Sequence, residues 1–216
     1  MKLYSYYRSS AAYRVRIALA LKEIPYETSV VNLRDRSHLQ RHPDYLTLNP
    51  LGVVPTLVDG SNTITQSSAI LEYLEEAYPS PALLPVDAAA RAHVRAIGQI
   101  IACDIHPLNN LRVLRYLKHQ LGVNDDARTQ WYRHWVESGL AAVEALLEQA
   151  GTNGNFCFGD GPTLADVMLI PQVANARLFD CDLTAVPNIV RIDEHCRALP
   201  AFQVAAPENQ PDFPDR

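Results

Sequence analysis

A change of pattern at residues 78–85 constrains this chain more than any other feature. Before it, strand and helix signals alternate; Tyr78-Pro79-Ser80-Pro81 and Leu84-Pro85 then punctuate the chain, and beyond them strand signals almost vanish. Each proline fixes φ and removes a backbone donor, so prolines spaced this closely read as a linker rather than as a continuing helix or central strand. The pattern predicts a mixed α and β domain over 1–80, a linker over 81–86 and an all-helical domain over 87–216. The 216 residues, 48% of them hydrophobic and 20% charged, suffice for a substantial core in an ordinary globular protein.

Within the first domain, Lys2 to Tyr7 is a short aromatic-rich stretch suited to a strand. Ser9-Ser10 then offers N-cap chemistry for Ala11 to Lys22, a run of good helix formers with an apolar stripe through Ala11, Val15, Ala18 and Leu19. Tyr26 to Asn32 returns to β-type composition. The polar stretch Leu33 to Asp44 reads as a loop or short helix before the Asn49-Pro50-Leu51-Gly52 turn. Val53 to Val58 and Asn62 to Thr65 flank Asp59-Gly60, a hairpin signal, and Ser67 to Ala77 closes the domain as a helix. The order βαβ then ββα predicts a thioredoxin-like domain.

In the second domain, Asp87 to Leu121 reads as one long helical stretch that bends at Pro107. Ala127 to Gln149 is an amphipathic helix. Thr163-Leu164-Ala165-Asp166 has the spacing of a capping box, in which Thr163 caps and Asp166 reaches back to the cap's own N–H. A fourth helix is expected from about Pro187 to Ala198, and the Pro-rich tail 207–216 is expected to fray.

No window approaches the apolar length of a membrane span and no apolar run follows the first basic residues, so a cytoplasmic location is expected. A net charge of −5 argues against a nucleic-acid partner. Arg8, Arg14 and Arg16 near the first helix, with Arg112 and Arg115 near the middle, read either as solvated helix faces or as partners of a small anionic ligand. Cys103, Cys157, Cys181 and Cys196 show neither a C-x-x-C pair nor zinc-finger spacing. They read as reduced structural thiols with no metal site, so sulfur chemistry here needs a cosubstrate.

Five segments carry a family likeness: SSAAYRVRIAL at 9–19, LNPLGVVPTL at 48–57, TQSSAILEYLEE at 65–76, HPLNN at 106–110 and TLADVMLIPQVANA at 163–176. Through them the chain resembles the zeta class of glutathione S-transferases, the family of the maleylacetoacetate and maleylpyruvate isomerases. The resemblance implies the glutathione S-transferase fold, a homodimer, glutathione as cosubstrate, and cis–trans isomerisation of a maleyl keto acid to its fumaryl isomer. Two other readings stay open: a general transferase conjugating glutathione to small electrophiles, and a noncatalytic glutathione-binding module.

A thiolate is the useful form of glutathione, and a hydroxyl donor at a helix N-terminus favours that anion. Ser9 and Ser10 supply both features. Residue spacing alone allows a plain N-cap serine; the resemblance implies that Ser9 bonds the sulfur. The family usually continues with a cysteine and then a tryptophan, where this chain has Ala11 and Tyr13. Val54-Pro55 resembles the family's cis-proline, which pairs the cysteinyl part of glutathione like an added strand; a trans proline at a strand edge is the alternative. Gln66 and Ser67, with Ser67 as helix cap, are implied at the γ-glutamyl carboxylate, and His38 at the glycyl carboxylate. His106 and Asn110, four apart on one predicted helix, share a face and match positions that contact glutathione and substrate. Arg8 and Arg112 are implied as clamps for a dicarboxylate. Arg177 is left without a role.

Overall fold

The computed structural model describes residues 1–32 and 43–214, which group into two compact units, Met1–Ala82 with Ala198–Arg216, and Leu83–Arg197. The boundary near residue 82 falls in the proline-rich segment. The last nineteen positions differ from expectation: they belong with the N-terminal unit rather than with the helical one.

The N-terminal unit contains β1 (Lys2–Ser5), α1 (Ser10–Leu21), β2 (Glu27–Val30), α2 (Pro43–Leu48), β3 (Thr56–Asp59), β4 (Asn62–Thr65) and α3 (Ser67–Ala77). Its sheet runs β2-β1-β3-β4, with β2 parallel to β1 and β3 antiparallel to both of its neighbours. Gly60 sits at φ +57 in the β3–β4 turn, a conformation that a residue without Cβ adopts at little cost. Packing holds α1 more than its cap does: nine of its twelve residues are buried. Among them are Val15, Ile17, Ala18 and Leu19, all fully covered.

This topology brings three chain segments to one end of the sheet. Tyr4 near the end of β1 pairs with Thr56 at the start of β3, and Thr56 pairs with Thr65 at the end of β4. The segment leaving β1, the segment entering β3 and the segment leaving β4 therefore meet there. They are Tyr6–Ser9, Val54-Pro55 and Gln66-Ser67.

Residues 207–214 do not fray. After α10 (Pro200–Ala205) and a short 3-10 turn (Pro207–Asn209), Gln210 is buried and its Nε2 donates to the carbonyls of Val204 and Ala206, at 3.0 and 2.9 Å. A terminal segment stays ordered when its polar groups and rings find partners, and composition alone does not reveal those partners.

The helical unit contains α4 (Ala88–Gln99), a π-helical segment (Ile100–Ile105), α5 (His106–Asn109), α6 (Leu111–His119), α7 (Asp125–Gln149), α8 (Leu164–Leu178) and α9 (Pro187–Arg197). The central element is α8, with eleven of its fifteen residues buried, as befits a helix apolar nearly all round. Its capping box forms as the spacing predicts: Asp166, fully buried, accepts from the N–H and hydroxyl of Thr163 at 2.7 and 2.9 Å. The same carboxylate also accepts from the N–H of Cys157 at 2.7 Å, fastening the preceding loop. The start of α9 is held from a distance instead. Glu144 on α7 accepts from the N–H groups of Asn188 and Ile189 at 2.9 and 3.0 Å. No helix among the described residues is long and apolar enough to cross a membrane.

Candidate active site

Ser9 is the N-cap of α1: its Oγ accepts from the N–H of Ala12 at 3.2 Å, and its carbonyl accepts from Tyr13. A hydroxyl has one donor and two acceptor sites, so this cap bond leaves the proton of Ser9 available to an anion. No acidic residue occupies the first turn of α1, whose N-terminus carries a partial positive charge of roughly half an elementary charge. Capping and thiolate binding are therefore compatible at Ser9. Ser10, the first helical residue, is buried.

The Val54-Pro55 bond is cis, in agreement with the reading of the sequence. Val54 lies two residues before β3, and among the described residues none bonds its main-chain N–H or C=O. On the far side of the same sheet end, Gln66 is the cap residue of α3, with φ 69 and ψ 120, and its side chain makes no cap hydrogen bond. A non-glycine residue at positive φ costs on the order of 1–3 kcal/mol and persists only where its neighbours fix it. Ser67 is the first residue of the helix, not its cap as expected. Its Oγ accepts from Nη1 of Arg14 at 3.2 Å, which ties the start of α3 to α1. The first turn of α3 carries no acidic residue either, so its N-terminus is as receptive to a carboxylate as that of α1 is to a thiolate.

The arginines divide by burial. Arg14 and Arg16 are 1% and 0% exposed, so the reading of solvated or ligand-facing arginines fails for both. Arg16 donates to the Ala205 carbonyl at 2.9 Å, to Ser5 Oγ at 3.1 Å and to the Tyr6 and Tyr7 carbonyls at 3.4 and 3.2 Å, with the Tyr13 ring 5.2 Å from its guanidinium carbon. Burial lowers its pKa to about 10, which leaves it charged at neutral pH. Arg8 and Arg112 differ: neither guanidinium has a hydrogen-bond or ion-pair partner among the described residues, and Arg112 is exposed. Arg177 donates to Asp193 from Nε and Nη2 at 3.2 and 2.8 Å, joining α8 to α9 as a structural pair.

In the helical unit the expected continuous helix is broken, and not where Pro107 suggested. Proline cannot donate its own N–H, but near the start of a helix that donor is not needed, and Pro107 lies in the first turn of α5. The π-helical segment before it lets the His106 N–H reach the carbonyl of Ile101, five residues back. The break falls at Asn110, whose extended backbone (φ −64, ψ 144) ends α5 and whose Oδ1 caps α6 by accepting from the Arg112 N–H at 3.1 Å. His106 and Asn110 thus lie on different helices, yet their side chains meet, Nε2 to Nδ2, at 3.4 Å. The pair predicted from the sequence survives through a different geometry. His38 lies outside the described residues.

The thiols offer no rival nucleophile in the core. Cys157, Cys181 and Cys196 are buried and Cys103 is exposed, all four unpaired. Burial pushes the Cys181 thiol up to about 11 and raises Cys157 and Cys196 as well, so none of the three is a thiolate at neutral pH.

Known proteins resemble this chain over nearly its whole length. Residues 8–77 match the glutathione S-transferase N-terminal domain and residues 129–189 its C-terminal domain. The maleylacetoacetate isomerase of Pseudomonas aeruginosa is 51% identical over 215 residues, covering 99% of both chains. The holo structure of a maleylpyruvate isomerase, described as a bacterial zeta-class glutathione S-transferase, is 48% identical, covers 98% of this chain and 99% of its own, and has a TM-score of 0.94. A maleylacetoacetate isomerase from Methylobacterium extorquens AM1, with malonate and glutathione bound, is 40% identical, covers 99% of this chain and all of its own, and also has a TM-score of 0.94. With both family domains matched and relatives alike over the full length, the chain belongs to the glutathione S-transferase family, in the zeta class.

Proposed function

We propose that the protein is a glutathione-dependent cis–trans isomerase that converts a maleyl keto acid, maleylpyruvate or maleylacetoacetate, to its fumaryl isomer. The observation that carries this reading is the meeting, at one sheet end, of a donor hydroxyl on a helix N-terminus with no acid in its first turn, an unpaired main chain at Val54 and a second such helix N-terminus at Gln66-Ser67. These match the three parts of glutathione: thiol, cysteinyl main chain and γ-glutamyl carboxylate. Bound there, glutathione supplies a thiolate that adds reversibly to the double bond and leaves after rotation about the single bond so formed.

The residues of the chain prepare this chemistry. Ser9 donates to the sulfur and, with the end of α1, holds it as the anion at neutral pH. Val54 aligns the cysteinyl group by main-chain pairing, and Gln66 and Ser67 take the γ-glutamyl end. By family resemblance Arg8 and Arg112, neither guanidinium with a partner among the described residues, are candidates to orient substrate carboxylates, and His106 and Asn110 are candidates to contact glutathione or substrate. The resemblance further supports a cytoplasmic homodimer.

Turnover of maleylpyruvate and maleylacetoacetate by the purified protein, with and without glutathione, tests the reading. Isomerisation of at least one acid that depends on glutathione is expected. Conjugation of glutathione to a model electrophile with no turnover of either acid contradicts it and favours a general transferase.

A further inference from the structure

The loop that presents Ser9 is a four-residue turn, Tyr6-Tyr7-Arg8-Ser9, closed by a bond from the Ser9 N–H to the Tyr6 carbonyl at 2.9 Å. Such a turn uses one donor and one acceptor and leaves its other polar groups to find partners elsewhere. Here they do. The carbonyls of Tyr6 and Tyr7 accept from Arg16, which also reaches back to Ala205 on α10. The N–H of Tyr7 donates to Oδ2 of Asp212 at 2.9 Å, across 205 positions of sequence. Beside that bond the Tyr7 ring packs edge-on against Phe213, centroids 5.4 Å apart, and against Tyr6 at 4.8 Å. Gln210 anchors the segment just before it.

We infer that Asp212 is a positioning residue for the thiolate site: with Arg16 it holds the main chain of the Tyr6–Ser9 turn and so fixes where the Ser9 hydroxyl points. The C-terminal segment is then a working part of the site and not an appendage. The role rests on the proposed reading of Ser9. It is also counter-intuitive in sign, because a carboxylate bonded to Tyr7, two residues before Ser9, opposes through its charge an anion held at Ser9. Asp212 helps only if the geometry it imposes outweighs the repulsion it adds. Loss of the bond and loss of the charge therefore move the thiol pKa in opposite directions.

Two variants separate the terms. Asp212→Ala removes bond and charge together; Asp212→Asn removes the charge but keeps an acceptor oxygen. Asp212 is only half-buried, so neither substitution opens a core. The measurements are the pH titration of bound glutathione by thiolate absorbance, the pH profile of turnover, and amide exchange over Tyr7–Ser9 in the ligand-free protein. In Asp212→Ala the thiol pKa rises toward that of free glutathione and the acidic limb of the profile moves to higher pH. The turnover number falls about tenfold, the scale of a modest misplacement of a reacting group, and exchange over Tyr7–Ser9 quickens. Asp212→Asn restores all four to the wild-type level or gives a lower thiol pKa. A lowered or unchanged thiol pKa in Asp212→Ala overturns the inference, as does an Asp212→Asn variant as impaired as the alanine. Ser9→Ala in the same titration distinguishes the two levels. If it leaves the sulfur unaffected, the reading of Ser9 falls; if it raises the pKa while Asp212→Ala does not, only the role of Asp212 falls.

Discussion

Among the helix starts that carry candidate groups, those of α1 and α6 are built in opposite ways. At α1, Ser9 caps a helix with nine of its twelve residues buried, and the turn before it has its polar groups held by Arg16 and Asp212. At α6, Asn110 caps a helix with no buried residue, reached through a π-helical segment and the short α5. Ser9 is fixed by tertiary contacts; Asn110 and Arg112 stand on an element that little packing holds. Segments with few buried contacts open at lower free energy and tolerate change, and they suit ligand handling better than a fixed donor does. On the proposed reading, Ser9 is the fixed donor and Arg112 the adaptable one.

The comparison predicts effects of different size and kind. Ser9→Ala lowers turnover by about 10²–10³, the usual cost of one donor aimed at a reacting anion. Its loss of stability in urea denaturation stays near the ~1 kcal/mol of a lost cap. A turnover number within threefold of wild type would break the assignment. Next comes Gly139 on α7, where a methyl group would overlap the side chain of Ile105, the last residue of the π-helical segment. Gly139→Ala is expected to destabilise by about 1–3 kcal/mol, as overpacking does, and to disturb the His106–Asn110 contact. Unchanged denaturation would show that the segment yields freely.

Smaller effects belong to the exposed helix. Arg112→Ala raises the KM for the keto acid about tenfold, in line with one charge-assisted hydrogen bond, and leaves stability within ~0.5 kcal/mol. A fall in turnover number at unchanged KM would move Arg112 from orientation to chemistry. The smallest effect is one of reactivity. In the folded protein an alkylating reagent at neutral pH modifies Cys103 alone, and the three buried thiols react only after unfolding. Modification of Cys157 or Cys196 in the folded state would mean that the helical core opens more readily than its packing indicates.

How far each region was legible in the sequence follows from where its determinants lie. The start of α1 is written locally: a strand-forming stretch, two serines and then helix formers leave few other readings. The capping box at Thr163 is equally local, because four consecutive residues specify it. The clamp around Ser9 is not, since Arg16 finds carbonyls in the turn and on α10, and Asp212 finds Tyr7, through contacts that no neighbouring residue announces. Charge suggested exposure for Arg14 and Arg16, and prolines suggested disorder for the tail; long-range hydrogen bonding reversed both. At residues 106–110 the sequence showed that a helix is disturbed but not how. Pro107 drew attention because it lacks a donor, yet it sits where that donor is not needed, and the break is made by the backbone of Asn110. The shift of the α3 cap from Ser67 to Gln66 was hidden because a glutamine gives no sign of adopting positive φ.

Ionisation of glutathione in the binary complex, followed by ultraviolet absorbance as pH is raised, is the decisive measurement. A thiol pKa at least about one unit below that of free glutathione, returning toward the free value in Ser9→Ala, is the predicted result. A bound thiol that titrates like the free one, or one whose lowered pKa survives the loss of the Ser9 hydroxyl, would contradict it.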